Sequence, residues 1–464
     1  MSEKLFWNEA AELLSGEKLQ QLHWKKLKKQ LAYCYENSPE FYRKKFESAG
    51  VRPNDIRSLE DFRRLPIFVT KEEDLRSQED SLERYGHPFG LFLCAPLDEV
   101  IAVHATAGTT GRPTFYAFTR HDLQVTAEVM ARGYWRAGVR PGETVLHAMG
   151  LSMWIGGIPV VQALQHMGAR PIPVGAEGGS ERLLQMARLT RPTTLICTPS
   201  YAEYLIEKAP KAIGAPVGDL GLERIVCFGE PGAGLPEVRR KIEEAYGAQL
   251  YDSGQGPWGL YAISCEASVG SSTYFGMHVV SQDYVIMYDL VDPQTKEPLP
   301  IVDGTIGEFV FTTLEWEASP ALRYSLGDIN QIFLEDCPCG VKGLRRRILG
   351  RVDDMLIVKG INVYPAAVKN VVNSFVPRVT GEMRIVLLEP PPRVTPPLRL
   401  KVEYGQNLSR TDQEILKQEM ERKLSDLLRF HPEVELVSPG SLPRAADLGL
   451  RKAPLLEKLY ENCS

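Results

Sequence analysis

No stretch of this chain approaches the ~18 consecutive apolar residues of a membrane span, although 44% of its 464 residues are hydrophobic. Nor is there a clustered basic surface in prospect. The 54 lysines and arginines are outnumbered by 59 acids, for a net charge of −5. Nucleic acid is therefore not expected as the main partner, because phosphate contacts need concentrated positive charge. The opening Met-Ser-Glu-Lys-Leu-Phe-Trp7 lacks the apolar core and cleavage site of a signal peptide. Eight cysteines in so long a chain do not suggest a disulfide framework. The expectation is a cytoplasmic globular enzyme of roughly two to four domains, without a membrane partner.

What is present is most informative at Thr106-Ala-Gly-Thr-Thr-Gly-Arg-Pro-Thr114. Gly108 and Gly111 bracket Thr109 and Thr110, and Arg112 follows at once. Such a loop can turn backbone N–H groups, hydroxyls and a cation toward one anion in conformations that glycine permits. It is not a Walker loop, which has a longer spacer followed by Gly-Lys-Ser/Thr. An ordinary polar turn is the alternative; the density of donors favours a nucleotide polyphosphate.

Downstream, Thr144–Met149, Thr194–Thr198 and Arg224–Phe228 are expected as buried strands, each followed by Gly or Pro and then helical periodicity. That alternation predicts an α/β fold, a parallel sheet with helices on its faces. Upstream, amphipathic helical patterns cover Leu19–Gly50, broken at a Ser-Pro, and Ser58–Asp74, broken at Leu65-Pro66. From Tyr284 to Phe333 the runs are longer and β-rich. A boundary is expected near Gly350, followed by a small α+β domain with strands at Arg384–Leu388 and Leu398–Tyr404 and a helix at Thr411–Leu428.

Five segments in order carry a resemblance. They are the Thr/Gly loop, Phe228-Gly-Glu-Pro231, Leu250-Tyr-Asp-Ser-Gly-Gln255, Leu322-Arg-Tyr-Ser-Leu-Gly-Asp328, and the block from Arg347 to Pro365 that contains Gly350-Arg-Val-Asp-Asp354. Together they resemble the adenylate-forming acyl-CoA synthetase superfamily, and within it the phenylacetate–CoA ligase branch. The phrases within Tyr33–Asp74 and Pro439-Gly-Ser-Leu-Pro-Arg444 fit the same branch. The resemblance implies a large N-terminal domain over 1–350 with mixed or parallel sheets flanked by helices. A hinge at 351–353 and a mobile α+β AMP-binding lid over 354–464 would follow it. It implies activation of a carboxylic acid by ATP and Mg²⁺ as acyl-AMP, with release of pyrophosphate, and transfer to the thiol of CoA. That chemistry needs positioning and charge stabilisation rather than an enzyme nucleophile.

Carried onto this chain, Thr106, Gly108, Thr109, Thr110, Gly111 and Arg112 would hold the β- and γ-phosphates. Gly229, Glu230 and Pro231 would line the adenine, with Tyr251 and Asp252 beside it. Asp328 would accept from the ribose hydroxyls, Arg351 would contact the nucleotide, and Asp353 would lie at the pivot. Two positions depart from the family pattern. Gln255 stands where the family has a Mg²⁺-binding Glu, and an amide oxygen offers the ion only a dipole; Glu266 is a nearby substitute. The segment after Leu442-Pro-Arg444 is three residues longer than the family phrase. Lys452 is its best match to the catalytic lysine, with Lys458 and Arg451 as alternatives.

Cys337-Pro-Cys339 offers two soft ligands in a tight turn, and Cys265 with His278 matches Cys and His phrases of the branch. A Cys₃His set suits closed, structural Zn²⁺; free buried thiols and a core histidine are the alternative. Trp154 falls on the segment that borders the acyl pocket in the family, which favours an apolar, aromatic or arylacetic acid, unless it serves core packing. The acceptor could instead be an amine or a carrier-protein thiol. Gln255 and the displaced lysine also admit a catalytically silent nucleotide- or acyl-binding homologue. Oligomeric state has no sequence signature, and a homodimer stays open.

Overall fold

The middle strands of the parallel sheet, Thr144–His147, Thr194–Cys197 and Arg224–Cys227, are mostly apolar on both faces, because both faces are covered. In the computed structural model Val145, Ile196, Val226 and Tyr251 enter one core. Their neighbours Leu146, Leu195, Cys197, Ile225, Cys227 and Leu250 enter a second. Strands buried on two sides lose the apolar–polar alternation of a one-sided sheet and read as continuous hydrophobic runs. The strands Arg170–Pro173, Thr144–His147, Thr194–Cys197, Arg224–Cys227 and Gln249–Gln255 lie side by side in that order, all parallel. Residues 5–106, 113–230, 232–271, 273–352, 354–359, 361–405, 408–443 and 454–460 are described by the structure.

The strand Gln249–Gln255 is where the sheet changes character. It runs parallel to Arg224–Cys227 on one side and antiparallel to Tyr261–Ile263 on the other. Beyond it the sheet continues through Met277–Val279, Arg345–Arg351, Tyr324–Phe333, Ile306–Thr313 and Val285–Val291. The β-rich run read from the sequence is therefore not a separate layer but the antiparallel half of one mixed sheet. The expected fold class, an α/β fold with mixed or parallel sheets flanked by helices, is the one observed, and its strands join in one sheet. A separate hairpin, Ala102–Thr106 with Thr114–Phe118, carries the Thr/Gly loop at its tip. Its tip residues 107–112 lie outside the described residues.

The long N-terminal helical pattern resolves into Gly16–Asn37 and Lys44–Ser48, joined by a single π-type turn over Pro39–Arg43. Ser38 starts that turn by accepting the Tyr42 N–H at 3.3 Å, while Pro39 has no N–H to continue the preceding helix. The Leu65-Pro66 break likewise separates the helix Leu59–Arg63 from a short strand, Val69–Thr70, and the helix Lys71–Tyr85. Thr70 and Glu73 close that helix's first turn as a capping box.

The chain divides into two compact units, Met1–Arg347 and Ile348–Ser464. The second has its own core. Its strands Pro432–Val437, Leu398–Tyr404, Val379–Leu387 and Leu456–Lys458 form a sheet in that order. The helices Pro365–Asn373 and Arg410–Leu428 bury Val368, Val372, Leu416, Met420 and Leu424 against it. Among the described residues no helix is long and apolar enough to cross a membrane.

The helix Arg120–Arg136 packs on the sheet through a glycine. A methyl on Gly133 would stand 2.0 Å from the Tyr261 ring, far inside contact distance. Gly133→Ala is expected to lower the stability of the first unit by about 1–3 kcal/mol, the usual cost of overpacking. Denaturant unfolding checks this, and a variant as stable as the parent would contradict the close approach.

Candidate active site at the carboxyl edge of the parallel strands

In an open α/β sheet, ligands bind in the crevice beyond the carboxyl ends of the parallel strands, where the chain leaves for helices on opposite faces. Here that edge is formed by the segments after His147, Cys197 and Cys227 and by the end of Gln249–Gln255. Of the sequence-predicted residues, Trp154, Gly229, Glu230, Asp252 and Gln255 lie on it. Trp154 lies on the connection after Thr144–His147, and its ring meets the Phe228 ring with centroids 5.7 Å apart. Gly229 follows Phe228 with φ +93°, a left-handed conformation that disfavours any side chain. The Trp154 ring edge would stand 3.2 Å from a Cβ at Gly229, with Met149 at 3.6 Å. An indole therefore sits directly over the backbone of the predicted adenine segment. Glu230 is half-buried and accepts the Ser200 N–H at 2.8 Å, which ties this segment to the start of the helix Pro199–Ile213. Pro231 lies outside the described residues.

The seam strand supplies the next group. Asp252 accepts the Tyr274 hydroxyl at 2.6 Å. Burial raises its pKa, against the pull of that hydrogen bond and of Arg239 and Arg347. Tyr251 is buried, and its hydroxyl donates to Gln249 at 3.1 Å, toward the start of its own strand. Gln255 directs its amide N–H₂ at two phenols, Tyr134 at 3.0 Å and Tyr261 at 3.1 Å. Its Oε1 is buried without a partner. Sequence reasoning could not find Tyr134, Tyr261 or Tyr274. The first lies on a helix more than a hundred residues upstream of Gln255, and no local pattern links them.

Asp328 is half-buried on the strand Tyr324–Phe333, just after Gly327. It acts electrostatically on Arg346, a buried cation whose pKa burial lowers to about 10 while Asp328 draws it back up. Thr106 ends the first arm of the hairpin, paired with Thr114. In the second unit Arg351 is half-buried at the end of Arg345–Arg351, and Lys458 is exposed on the strand Leu456–Lys458. Gly108, Thr109, Thr110, Gly111, Arg112, Asp353, Arg451 and Lys452 lie outside the described residues.

Elsewhere in the first unit the four predicted metal ligands converge. The ligand atoms of Cys265, His278, Cys337 and Cys339 all lie within 4.8 Å of one another. Cys265 Sγ is 3.6 Å from Cys337 Sγ, and Cys339 Sγ is 3.4 Å from His278 Nε2. Tetrahedral zinc with bonds of about 2.0–2.3 Å has ligand–ligand edges of about 3.3–3.8 Å. Register explains the assembly. His278 pairs with Ile263 on one side and Arg345 on the other, so it lies beside the chain leaving toward Cys265. The Cys337–Cys339 turn is closed by the Gly340 N–H donating to the Cys337 carbonyl at 2.9 Å. The thiol of Cys265, hydrogen-bonded to Cys339 and buried, is pushed well up, and the same hydrogen bond drives Cys339 down. Burial lowers the His278 pKa and so keeps the imidazole neutral. One thiolate and a neutral imidazole are thus favoured in the cluster, the forms in which these groups bind metal.

Comparison with known proteins defines the class first. Residues 360–451 match the model of the AMP-binding enzyme C-terminal domain. The whole chain superposes on 2-hydroxyisobutyryl-CoA ligase, crystallised in the postadenylation state, with a TM-score of 0.84 and 30% identity; the match covers 100% of this chain and 94% of that one. Among curated relatives, the phenylacetate-coenzyme A ligase of Thermus thermophilus is 36% identical, over 96% of this chain and 98% of the relative. That of Escherichia coli is 33% identical over 78% of each chain. The chain belongs to the phenylacetate–CoA ligase family of adenylate-forming enzymes and is an AMP-forming acid–thiol ligase of that type.

The conformation at Gly229 gives a direct check on the edge. Gly229→Ala must hold a side chain at positive φ and displace Trp154, at a cost of about 1–2 kcal/mol. Thermal or denaturant unfolding measures it, and no loss of stability would contradict the packing of Trp154 on this segment.

Proposed function

We propose that the protein converts an aromatic or arylacetic carboxylic acid into its CoA thioester through an acyl-adenylate. The observation that carries the choice of acid is the half-buried Trp154 ring, backed by Phe228 and Met149 beside Gly229. Flat aromatic faces favour an apolar, planar guest. The names of the curated relatives, phenylacetate-coenzyme A ligases, support the same class.

In this reading ATP lies along the carboxyl edge. Gly229, Glu230 and Pro231 line the adenine, with Tyr251 and Asp252 beside it. Asp328 takes the two ribose hydroxyls, because one carboxylate can accept from both. Thr106, Gly108, Thr109, Thr110, Gly111 and Arg112 hold the β- and γ-phosphates. The acid's carboxylate attacks the α-phosphorus, the bond to the β-phosphate oxygen breaks, and pyrophosphate leaves. Lys452 and Arg351 offset the charge that gathers on the α-phosphate. The C-terminal unit is the lid, turning about Asp353 for the second step, in which the CoA thiol attacks the acyl carbon and AMP departs. Mg²⁺ would neutralise phosphate charge. The unpartnered Oε1 of Gln255 fits a cation ligand, while the amide N–H₂ stays with Tyr134 and Tyr261.

The Cys₃His cluster is assigned to structural Zn²⁺. Its four ligands fill a tetrahedron and leave no position for a substrate. It would brace the antiparallel half of the sheet, where Met277–Val279 meets Arg345–Arg351.

Two measurements test these assignments. With ATP and Mg²⁺, pyrophosphate release should depend on an aromatic or arylacetic acid, and adding CoA should yield the thioester with AMP. Adenylation followed by transfer only to an amine or a carrier protein would overturn the acceptor, and no response to any aromatic acid would overturn the substrate class. Elemental analysis should find about one zinc per chain, lost in Cys337→Ser together with thermal stability. Metal-free protein of undiminished stability would refute the zinc assignment.

A further inference from the structure

One buried acid outside the residues assigned above joins two parts of the site. Asp74 lies in the first turn of the helix Lys71–Tyr85 and is 0% exposed. Its Oδ2 accepts the Tyr324 hydroxyl at 2.7 Å, and its Oδ1 accepts Gln78 Nε2 at 2.8 Å. Gln78 is buried too and spends the rest of its amide on one backbone residue. Nε2 donates to the Phe115 carbonyl at 3.0 Å, and Oε1 accepts the Phe115 N–H at 2.9 Å. That pair of bonds fixes the amide's orientation, since a flipped amide would set donor against donor.

Phe115 stands on the strand Thr114–Phe118, the arm by which the chain leaves the Thr/Gly loop. Tyr324 begins the strand that bears Asp328. The helix of Asp74 is itself pinned to that strand, because Val69 and Thr70 pair in parallel with Tyr324 and Ser325. Burying a carboxylate costs free energy that an apolar side chain in the same space would not. Here the acid is retained where two donors from different elements converge.

We propose that Asp74 is a positioning residue for adenylation. By gripping Gln78 and Tyr324 together it holds the exit arm of the loop against the strand of Asp328, which sets the spacing between the phosphate and ribose ends of one nucleotide. The inference rests on the nucleotide reading given above.

The grip needs the ionised form, because both neighbours donate. Burial lifts the Asp74 pKa to about 7, opposed by the bonds from Tyr324 and Gln78 and by the charge of Lys71. Tyr116 and Tyr42 are the other titratable groups in its field, and burial keeps both phenols neutral. A proton on Asp74 turns one acceptor into a donor, so one of its two ties must reverse or break. A raised pKa stabilises the fold below the ordinary carboxylate range, and that stabilisation is lost as pH rises through about 7. The grip on the nucleotide runs the other way and is gained over the same rise.

The test is pyrophosphate release at saturating acid with ATP varied, from about pH 5.5 to 8.5, alongside thermal melts. In the parent, kcat/KM for ATP should rise with pH through an inflection near neutrality. Asp74→Asn should raise KM for ATP about tenfold, change kcat by less than about threefold and lose the inflection. Tyr324→Phe should raise KM less and keep the inflection. A folded Asp74→Asn whose KM for ATP stays within about twofold of the parent, with an unchanged pH profile, overturns the proposal. Should Asp74→Asn fail to fold, Gln78→Leu and Tyr324→Phe carry the same test, and unchanged KM in both overturns it. Asp328→Ala and Thr106→Val separate the two levels. If neither weakens ATP binding, the nucleotide reading has failed and the proposal with it. If both weaken it while Asp74→Asn does not, the positioning role alone has failed.

Discussion

The hydrogen-bond pattern of one strand constrains most of this molecule. Gln249–Gln255 must bond as a parallel strand on one edge and as an antiparallel strand on the other. The parallel side brings crossover helices, and with them the crevice beyond the strand ends, where Trp154 and Gly229 meet. The antiparallel side allows short reversals, which return Tyr261 to Gln255 and bring His278 beside Ile263, next to the chain leaving toward Cys265. Because the same strand bears Asp252 and Gln255, a shift of its register by one residue would turn both of them to the opposite face.

Polar side chains of the site are tied to partners from the same and from other elements of the fold. Asp252 is held by Tyr274, Gln255 by Tyr134 and Tyr261, and Asp74 by Tyr324 and Gln78. Phenols suit this use. Each carries one hydroxyl on a large apolar body, so it closes a polar contact without bringing a second charge into the core. A site whose acceptors are oriented before ligand arrives spends less free energy on reorganisation when charge develops on a phosphate.

The parts of this design visible in the sequence are those written locally. The parallel strands were legible because runs such as Thr194–Cys197 are continuously apolar and followed by helix starts. The Cys₃His set was legible only through its resemblance to a known branch, since Cys337-Pro-Cys339 by itself names two ligands and leaves the others free. The single mixed sheet was not legible. Nothing local says that Tyr324–Phe333 and Arg224–Cys227 share one sheet, because strand order is fixed by long-range pairing. The tyrosine partners were hidden for the same reason. A tyrosine in an amphipathic helix, such as Tyr134, reads as core until the partner that faces its hydroxyl is known.

The central claim is that a nucleotide lies along the carboxyl edge with its ribose on Asp328. The most direct measurement compares the dissociation constants of ATP and 2′,3′-dideoxy-ATP in the parent protein and in Asp328→Ala. Two lost charge-assisted hydrogen bonds should weaken binding of the dideoxy nucleotide to the parent by about tenfold or more. In Asp328→Ala the two nucleotides should bind alike. A parent that does not distinguish them, or a variant that still does, would contradict this placement of the ribose.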